Sequence, residues 1–523
     1  MAEKIIYERK YPIGIQSFPE IIEGGYIYVD KTFFVAKLLK ENKYVFLSRP
    51  RRFGKSLLLS TLHAYFDGRR DLFKGLDIDS RDMDWTPRPV LHFDLNSEDF
   101  SQEDALENRL DEILRDYEDV FGSNHANVTL SQRFRYIIKE AYRQTGRKVA
   151  ILVDEYDKPL LELEEDSDLY ENRQRLFKGF FSNLKTMDDY IEFGMVTGVA
   201  RFSKVSIFSD LNNLNDISMY EQYQEICGWT EEELKASLMD GIEDLARKRR
   251  EDTDQTIKEL RDYYDGYLFS EEGSRIYNPY SVMRALYSKF IKPYWFEGGT
   301  PTFLAKRVKM NGINPGAING QTQSYGNLFA VGGNNIIALM FQTGYLTIES
   351  YDFSRQRYTL RFPNREVEIV FAENLLPLYA PSSSKSDSPF NLDRFRDDLY
   401  DGAPKSFMTR LEALFKDLPG EDHKESTYRA ITYLLCLLSG TEAAAERRSY
   451  KGRSDLEVLT RDYVYVFEFK YNKSVEMAMD QIYSRDYAGR YAMDSRRLCL
   501  IGVNYVEDKD DRRLEYRIEW MNQ

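Results

Sequence analysis

VFLSRPRRFGKSLLLSTL, residues 45–62, decides how the first half of the chain is read. An apolar run, Val45 to Leu47, stops at a polar turn, and Gly54-Lys55-Ser56 then opens a stretch with helical leucine spacing. Strand, loop and helix in that order are the parts of a phosphate-binding P-loop, whose pattern is G-x-x-x-x-G-K-[ST]. Arg49 stands where the pattern has its first glycine, and Pro50 follows it. Glycine allows a tight turn there; proline stiffens the loop by fixing φ instead. The substituted loop still predicts a nucleotide cradle built from Arg52, Phe53, Gly54, Lys55, Ser56 and Leu57. Backbone amides at the helix N-terminus would face anionic oxygens, Lys55 would reach the β- and γ-phosphates of ATP, and Ser56 would hold Mg2+. Arg49, Arg51 and Arg52 are expected to add positive charge beside the phosphates or beside a polyanion.

A P-loop alone is not a nucleotide site; it needs acidic groups at the end of a second parallel strand. KVAILVDE (148–155) supplies them, with five apolar residues from Val149 to Val153 followed by Asp154-Glu155. Asp154 would support the metal through water, and Glu155 would take a proton from the attacking water. KYVFLS (43–48), VLHFDL (90–95) and IEFGMVTG (191–198) complete a series of apolar strands separated by helical patterns. Such alternation predicts an α/β domain with a parallel sheet covered on both faces, here a P-loop NTPase core. The acidic stretch DEYDKPLLELEEDSDLYE (154–171) reads beyond its first pair as a solvated loop and helix face.

Length and composition limit the alternatives. With 523 residues and 42% hydrophobic content the chain has material for two to four cored domains. No apolar run approaches a bilayer span, and MAEKIIYERKYPIG has no secretory h-region, so no membrane partner and a cytoplasmic location are expected. Three scattered cysteines and four separated histidines form neither a disulfide framework nor a zinc pattern. The net charge of −14 argues against a chain that coats nucleic acid along its whole surface. From Thr441 onward, however, 15 Lys plus Arg meet 16 Asp plus Glu, so a local basic surface remains open to the last domain.

Three regions are expected: 1–225 as the ATPase core, 226–385 as a helical and winged-helix-like region, and 386–523 as a smaller α/β domain. The pattern from Glu231 to Arg261 is helical. Hairpin-like pieces follow, YDGYLFSEEGSRIYNP and GYLTIESYDFSRQRYTLRFPNREVEIVF, and SSSKSDSP (382–389) reads as a linker. DLEVL, YVYVFEFK and LCLIGVNY are the strands of the last domain. The tyrosines Tyr263, Tyr264, Tyr267, Tyr277 and Tyr280 read as core and hairpin packing rather than base-stacking platforms.

These motifs carry a resemblance. RPRRFGKSLLLSTL, YPIGIQSF, YVDKT (28–32), VDEYDKP, TGVARFSKVSIFSDLNNLND, YDGYLF, QTGYLTI and FPNREVEIVF resemble the bacterial, Bacteroidetes-type predicted AAA-ATPase-like family over nearly the whole chain. Members of that family typically carry a C-terminal nuclease domain of the PD-(D/E)XK superfamily. The resemblance implies Lys55 and Ser56 at the phosphate and magnesium positions and Asp154 and Glu155 at the acidic pair. It implies Thr197 as a polar sensor of the γ-phosphate, and Arg201 as an arginine finger acting in cis or across a contact between copies in an oligomer.

The C-terminal constellation has its own chemistry. GRSDLEVLTRDYVYVFEFK places Asp455 on one strand and Glu468-Phe469-Lys470 on the next, with a short turn between. Alternation puts Glu468 and Lys470 on one face of their strand. Asp455 beside Glu468 would make a hard-oxygen site for Mg2+ or Mn2+, and Lys470 would steady the attacking water or the developing charge. This is the D…E-x-K core of PD-(D/E)XK nucleases, acting on nucleic acid, DNA foremost. Gly452-Arg453 adds a turn and a phosphate-facing cation. Resemblance to the superfamily implies Glu425, at the head of an apolar helix, as a third acidic ligand, and Gln481 with Tyr487 on the following helix. The expected function is an ATP-binding and hydrolysing switch coupled to a metal-dependent nuclease. The alternative is a non-catalytic, nucleotide-dependent interaction protein whose nuclease fold only holds a partner.

Overall fold

A computed structural model describes residues 10–96, 100, 102–124, 126–161, 163, 167–201, 213–295, 302–329, 335–380, 392–418, 424–448, 452–508 and 511–521. The expected linker SSSKSDSP and residues 202–212 of TGVARFSKVSIFSDLNNLND (197–216) lie outside the described residues. The chain divides into two compact units, Met1–Gly298 with Thr322–Glu366, and Gly299–Gln321 with Val367–Gln523. The region expected at 226–385 is thus shared between them. No described helix is long and apolar enough to cross a membrane.

In the first unit, β1 (Tyr44–Ser48), β2 (Val90–Asp94), β3 (Val149–Asp154), β4 (Ile191–Gly198) and β5 (Asn215–Asp216) form one sheet in the order β2-β3-β4-β1-β5. Every pairing in it is parallel. All six residues of β3 are buried, as its unbroken apolar run requires when helices cover both faces. The edge strand β2 alternates instead, burying Leu91 and Phe93. Phe93 meets Phe134 and Phe180, whose rings stack at 4.6 Å. Phe134 comes from the helix Leu130–Thr145, which starts with a reciprocal Thr129–Gln132 capping box. Residues Leu47 and Thr197 are in register, as are Val153 and Val196, so three strands end side by side.

Beyond this sheet the same unit is helical. Helices Glu231–Arg249, Thr253–Tyr264 and Pro279–Ser288 bury Leu234, Leu238, Leu260, Tyr264 and Val282 in one cluster. A short strand, β6 (Gln321–Gln323), precedes the antiparallel pair β7 (Thr347–Asp352) and β8 (Arg357–Arg361). The continuation NREVEIVF, read from sequence as part of a hairpin-like piece, is instead the start of the helix Arg365–Tyr379. Its local E-V-E-I alternation mimics a strand, but the buried set Val367, Val370, Phe371 and Leu375 has helical spacing.

The second unit holds a mixed sheet of β9 (Glu442–Arg448), β10 (Arg453–Leu459), β11 (Tyr463–Tyr471), β12 (Arg497–Asp508) and β13 (Asp511–Trp520). Its order is β13-β12-β11-β10-β9, parallel only between β11 and β12. That parallel step needs a crossover, and the helix Val475–Ser484 provides it. It packs Met479 and Ile482 on Val464, Val466, Leu498 and Leu500. Alternation sends Tyr505 to the other face, where Tyr428 of the helix Glu425–Leu438 stacks on it at 4.3 Å.

Candidate nucleotide and metal sites

The P-loop helix runs from Lys55 to Phe66, and its N-cap is Gly54 at φ +95°, a conformation that favours glycine. No side chain caps this end, so its leading amides face outward with the positive end of the helix dipole. Lys55 is buried, and its Nζ donates to the carbonyls of Arg49 (3.0 Å) and Pro50 (3.2 Å). Ser56 and Leu57 are half-buried in the first turn.

Arg49 does not face the cradle. The expectation that it adds charge beside phosphates is corrected by its burial, at 1% exposure, beneath the loop. Its guanidinium donates to the carbonyls of Ser48 (2.9 Å), Ser218 (2.7 Å) and Tyr223 (3.2 Å), and lies 4.1 Å from the Phe269 ring centroid. Burial lowers its pKa to about 10, with Cys227 and Asp216 opposing the shift. The rest of RPRRF is gripped as closely. Trp295 Nε1 donates to the Arg51 carbonyl (3.0 Å), and Arg52, at φ +72°, stacks its guanidinium over Tyr280. Phe53 sits against Tyr267 and Phe269, and its carbonyl accepts from Gly228 N–H (3.1 Å). A side chain at Gly344 would collide with Pro50.

The acidic pair stands at the end of β3, with β4 between it and the β1 loop. Asp154 is buried; its Oδ1 accepts from Thr197 Oγ1 (2.6 Å) and from the Glu155 N–H (3.0 Å). Glu155 is half-buried with φ +49°, so its backbone turns sharply off the strand. Thr197, fully buried, thus links the ends of β3 and β4. Arg201 is paired within the unit: its guanidinium lies 2.8 Å from Asp216 and its N–H donates to Gln342 Oε1 (2.6 Å). The sequence reading missed Asp157. Instead of lying on a solvated face it is buried, accepting from the Val199 (2.9 Å) and Ala200 N–H groups. Burial pushes its carboxyl up to about 6. Its place in VDEYD, three residues after the strand end, was the available signal.

In the second unit the β10–β11 ladder stops at Leu456↔Phe467, and Asp455 takes over where the strands part. Its Oδ2 accepts from the Phe469 N–H (2.8 Å), and the same register, continued one step, places Asp455 across from Glu468. Glu468 is 1% exposed; Oε1 accepts from Lys470 Nζ (2.7 Å), while Oε2 is buried without a hydrogen-bond partner. Burial, then the Asp455 charge, pushes its carboxyl from 4.5 up to about 7. A buried, unpartnered carboxylate oxygen beside a second carboxylate is the donor set of a hard divalent cation.

Glu425 is not gathered with that pair. Among the described residues no three His, Cys, Asp or Glu side chains converge as a metal-holding group. Arg429, one turn after Glu425, reaches Asp455 Oδ1 (3.1 Å), Glu446 (3.3 Å) and, more loosely, Glu425 (3.9 Å). Arg453 is exposed and lies 3.5 Å from Glu446, and Gln481 donates to the Tyr487 hydroxyl (3.3 Å). Glu457, also missed, is fully buried under Ser454, Tyr491 and Arg490.

Fold and sites together define a P-loop ATPase-type core in one unit and a D…E-x-K nuclease-type sheet in the other. The model of the predicted AAA-ATPase family matches residues 12–208, and that of the PD-(D/E)XK nuclease superfamily matches 423–514. The chain is also 34% identical over 519 residues to the "Uncharacterized protein in vnfD 5'region" of Azotobacter chroococcum mcd 1, covering 96% of this chain and 97% of that protein. The chain belongs to the predicted AAA-ATPase family, with a PD-(D/E)XK nuclease superfamily domain at its C-terminal end.

Two outcomes follow from this geometry. Arg49→Gly restores the P-loop pattern but strips three buried carbonyls of their donor, so it should lower stability by about 2–4 kcal/mol. Thermal or urea unfolding of the full chain checks it; a glycine that merely eased the turn would raise stability instead. Glu468 binds its proton more tightly when folded, so its ionisation costs stability as pH climbs from 4.5 through about 7. With chelator present, the stability difference between wild type and Glu468→Gln should therefore move toward the variant by about 1–3 kcal/mol between pH 5 and pH 8. A pH-independent difference would show that Glu468 titrates as an ordinary carboxyl.

Proposed function

We propose that the chain is an ATP-driven switch joined to a Mg2+- or Mn2+-dependent nuclease acting on DNA. The observation that carries the nuclease half is Glu468 Oε2, buried and unpartnered beside Asp455 and Lys470. Uncompensated buried polar atoms are uncommon, and one on a carboxylate that has a second carboxylate and a lysine beside it suits a cation. Asp455 and Glu468 would hold the ion, which when bound supplies Lewis-acid polarisation of the phosphodiester and activates water. Lys470, fixed by Glu468 and the Phe469 carbonyl, would stabilise developing charge. Arg453, an exposed cation at the start of β10, would meet the nucleic-acid backbone, and Gln481, which donates to the Tyr487 hydroxyl, would orient that tyrosine near the carboxylates.

In the ATPase half, Lys55 would exchange the carbonyls of Arg49 and Pro50 for the β- and γ-phosphates. The amides from Arg52 to Leu57 would surround them, with Ser56 and Asp154 serving Mg2+. Glu155 would accept a proton from the attacking water. The Thr197–Asp154 bond would report occupancy to β4, and the grip on RPRRF would carry it to the helical part of the same unit. Arg201 would need to leave Asp216 to act as a finger.

ATP with Mg2+ should raise the melting temperature of the wild type, because a ligand of the folded state alone stabilises it by mass action. Lys55→Ala should lose that rise while staying folded; an undiminished rise in the variant would refute the P-loop assignment. Glu155→Gln should keep the rise and lose phosphate release, and equal turnover would move water activation to another group.

Cleavage of end-labelled DNA and RNA, with Mn2+ or Mg2+ and with or without ATP, tests the other half. Wild type should cut DNA and Asp455→Asn should not, whereas the ATP-dependent thermal shift should survive that substitution. Cutting by Asp455→Asn at the wild-type rate would sink the nuclease site, and preferred cutting of RNA would overturn the choice of substrate.

A further inference from the structure

Arg429 is the residue at the carboxylate site that no D…E-x-K pattern contains. It is four-fifths buried, and its guanidinium touches three acids from three elements: Glu425 on its own helix, Glu446 on β9 and Asp455 on β10. The charges nearby are few and already engaged. Lys470 belongs to Glu468, and Arg453 meets Glu446 from the solvent side.

The oxygens of the carboxylate pair are unequal. Asp455 Oδ2 closes the gap in the β10–β11 ladder by accepting the Phe469 N–H (2.8 Å). Asp455 Oδ1 is the other oxygen, and Arg429 Nη2 lies 3.1 Å from it. Of Glu468, Oε1 is held by Lys470 and Oε2 is unpartnered. An ion shared by the pair therefore finds one ready oxygen on Glu468, whereas on Asp455 the oxygen outside the strand ladder is the one that Arg429 occupies. Arginine cannot give up its charge, so it yields only by moving. Glu425 and Glu446 give the displaced guanidinium carboxylates to rest on.

We infer that Arg429 is a built-in counter-cation that competes with the divalent ion for Asp455 Oδ1 and so sets the ion concentration at which the site fills. It is a positioning residue, acting through Asp455. The inference rests on the proposed metal-dependent reading of the carboxylate pair.

Mn2+ binding to the full-length chain without nucleic acid, followed by the loss of the free-ion electron paramagnetic resonance signal, tests it. Removing a cation a few ångströms from a divalent ion should tighten binding by about tenfold or more in Arg429→Gln. Arg429→Lys keeps a charge that cannot bridge three carboxylates, so its affinity should fall between wild type and Arg429→Gln. It carries the test alone if circular dichroism shows the glutamine variant unfolded. Asp455→Asn should bind no Mn2+ at this site. A structural staple would give the opposite direction, so equal or weaker binding in the folded Arg429 variants overturns the inference while leaving the metal site intact. Absence of Mn2+ binding in wild type and in every variant removes the metal reading and this inference together.

Discussion

The insertion of β4 between β1 and β3 is the constraint on which the first unit depends. Parallel pairing fixes not only neighbours but where strands end, and here three of them end together. Were β1 and β3 direct neighbours, Asp154 would adjoin the loop of Ser48 to Lys55 with nothing between. With β4 present, Thr197 stands in the gap and binds Asp154. The Asp157 carboxylate then ties the acidic turn to the amides just after β4. A chain of short bonds thus runs along one edge of the sheet, the edge at which open α/β sheets present ligands.

Three buried charges in the molecule are treated in different ways, and the difference is informative. Arg49 is surrounded by carbonyls that are themselves otherwise difficult to satisfy, so a cation and a tightly turned backbone solve each other's problem. Asp157 is met by backbone N–H groups. In both, the hydrogen bonds that are made serve the fold, although the Arg49 Nε is itself buried without a partner. Glu468 is different, because its unpartnered oxygen, at 1% exposure, belongs to an acid that has a second carboxylate, Asp455, beside it. Neither burial nor an unpartnered atom alone distinguishes scaffold from site; at Glu468 the neighbouring carboxylate does.

Much of the fold was legible in short-range pattern. The four main strands of the first sheet, the P-loop helix and β10 to β12 are all marked by apolar runs bounded by turn residues. The D…E-x-K arrangement was legible too, because period-two alternation fixes the face of Glu468 and Lys470 without knowledge of anything else. What failed depended on partners distant in sequence. Arg49 looked like a phosphate cation because its carbonyl partners lie some 170 residues downstream. Arg429 was invisible as part of the site, since spacing cannot say which cation stands beside which carboxylate. β9 and β13 were missed because EAAAERR and DRRLEYRIEW lack the continuous apolar face of a central strand; both are edge strands of their sheet.

The grip on RPRRF has a consequence for how the protein is made. Each residue of that loop is held by groups that come much later in the chain: Ser218, Tyr223 and Gly228, then Phe269, Tyr280 and Trp295, and last Gly344. A ribosome that has released the first two hundred residues has therefore supplied the lysine, the serine and the acidic pair, but not the packing that shapes the loop. The nascent ATPase-type sheet must wait for about seventy further residues before its Arg49 side chain can be enclosed. The shape of the loop is thus completed late in synthesis, and the strands of the nuclease-type sheet begin to emerge about a hundred residues after the last of those contacts.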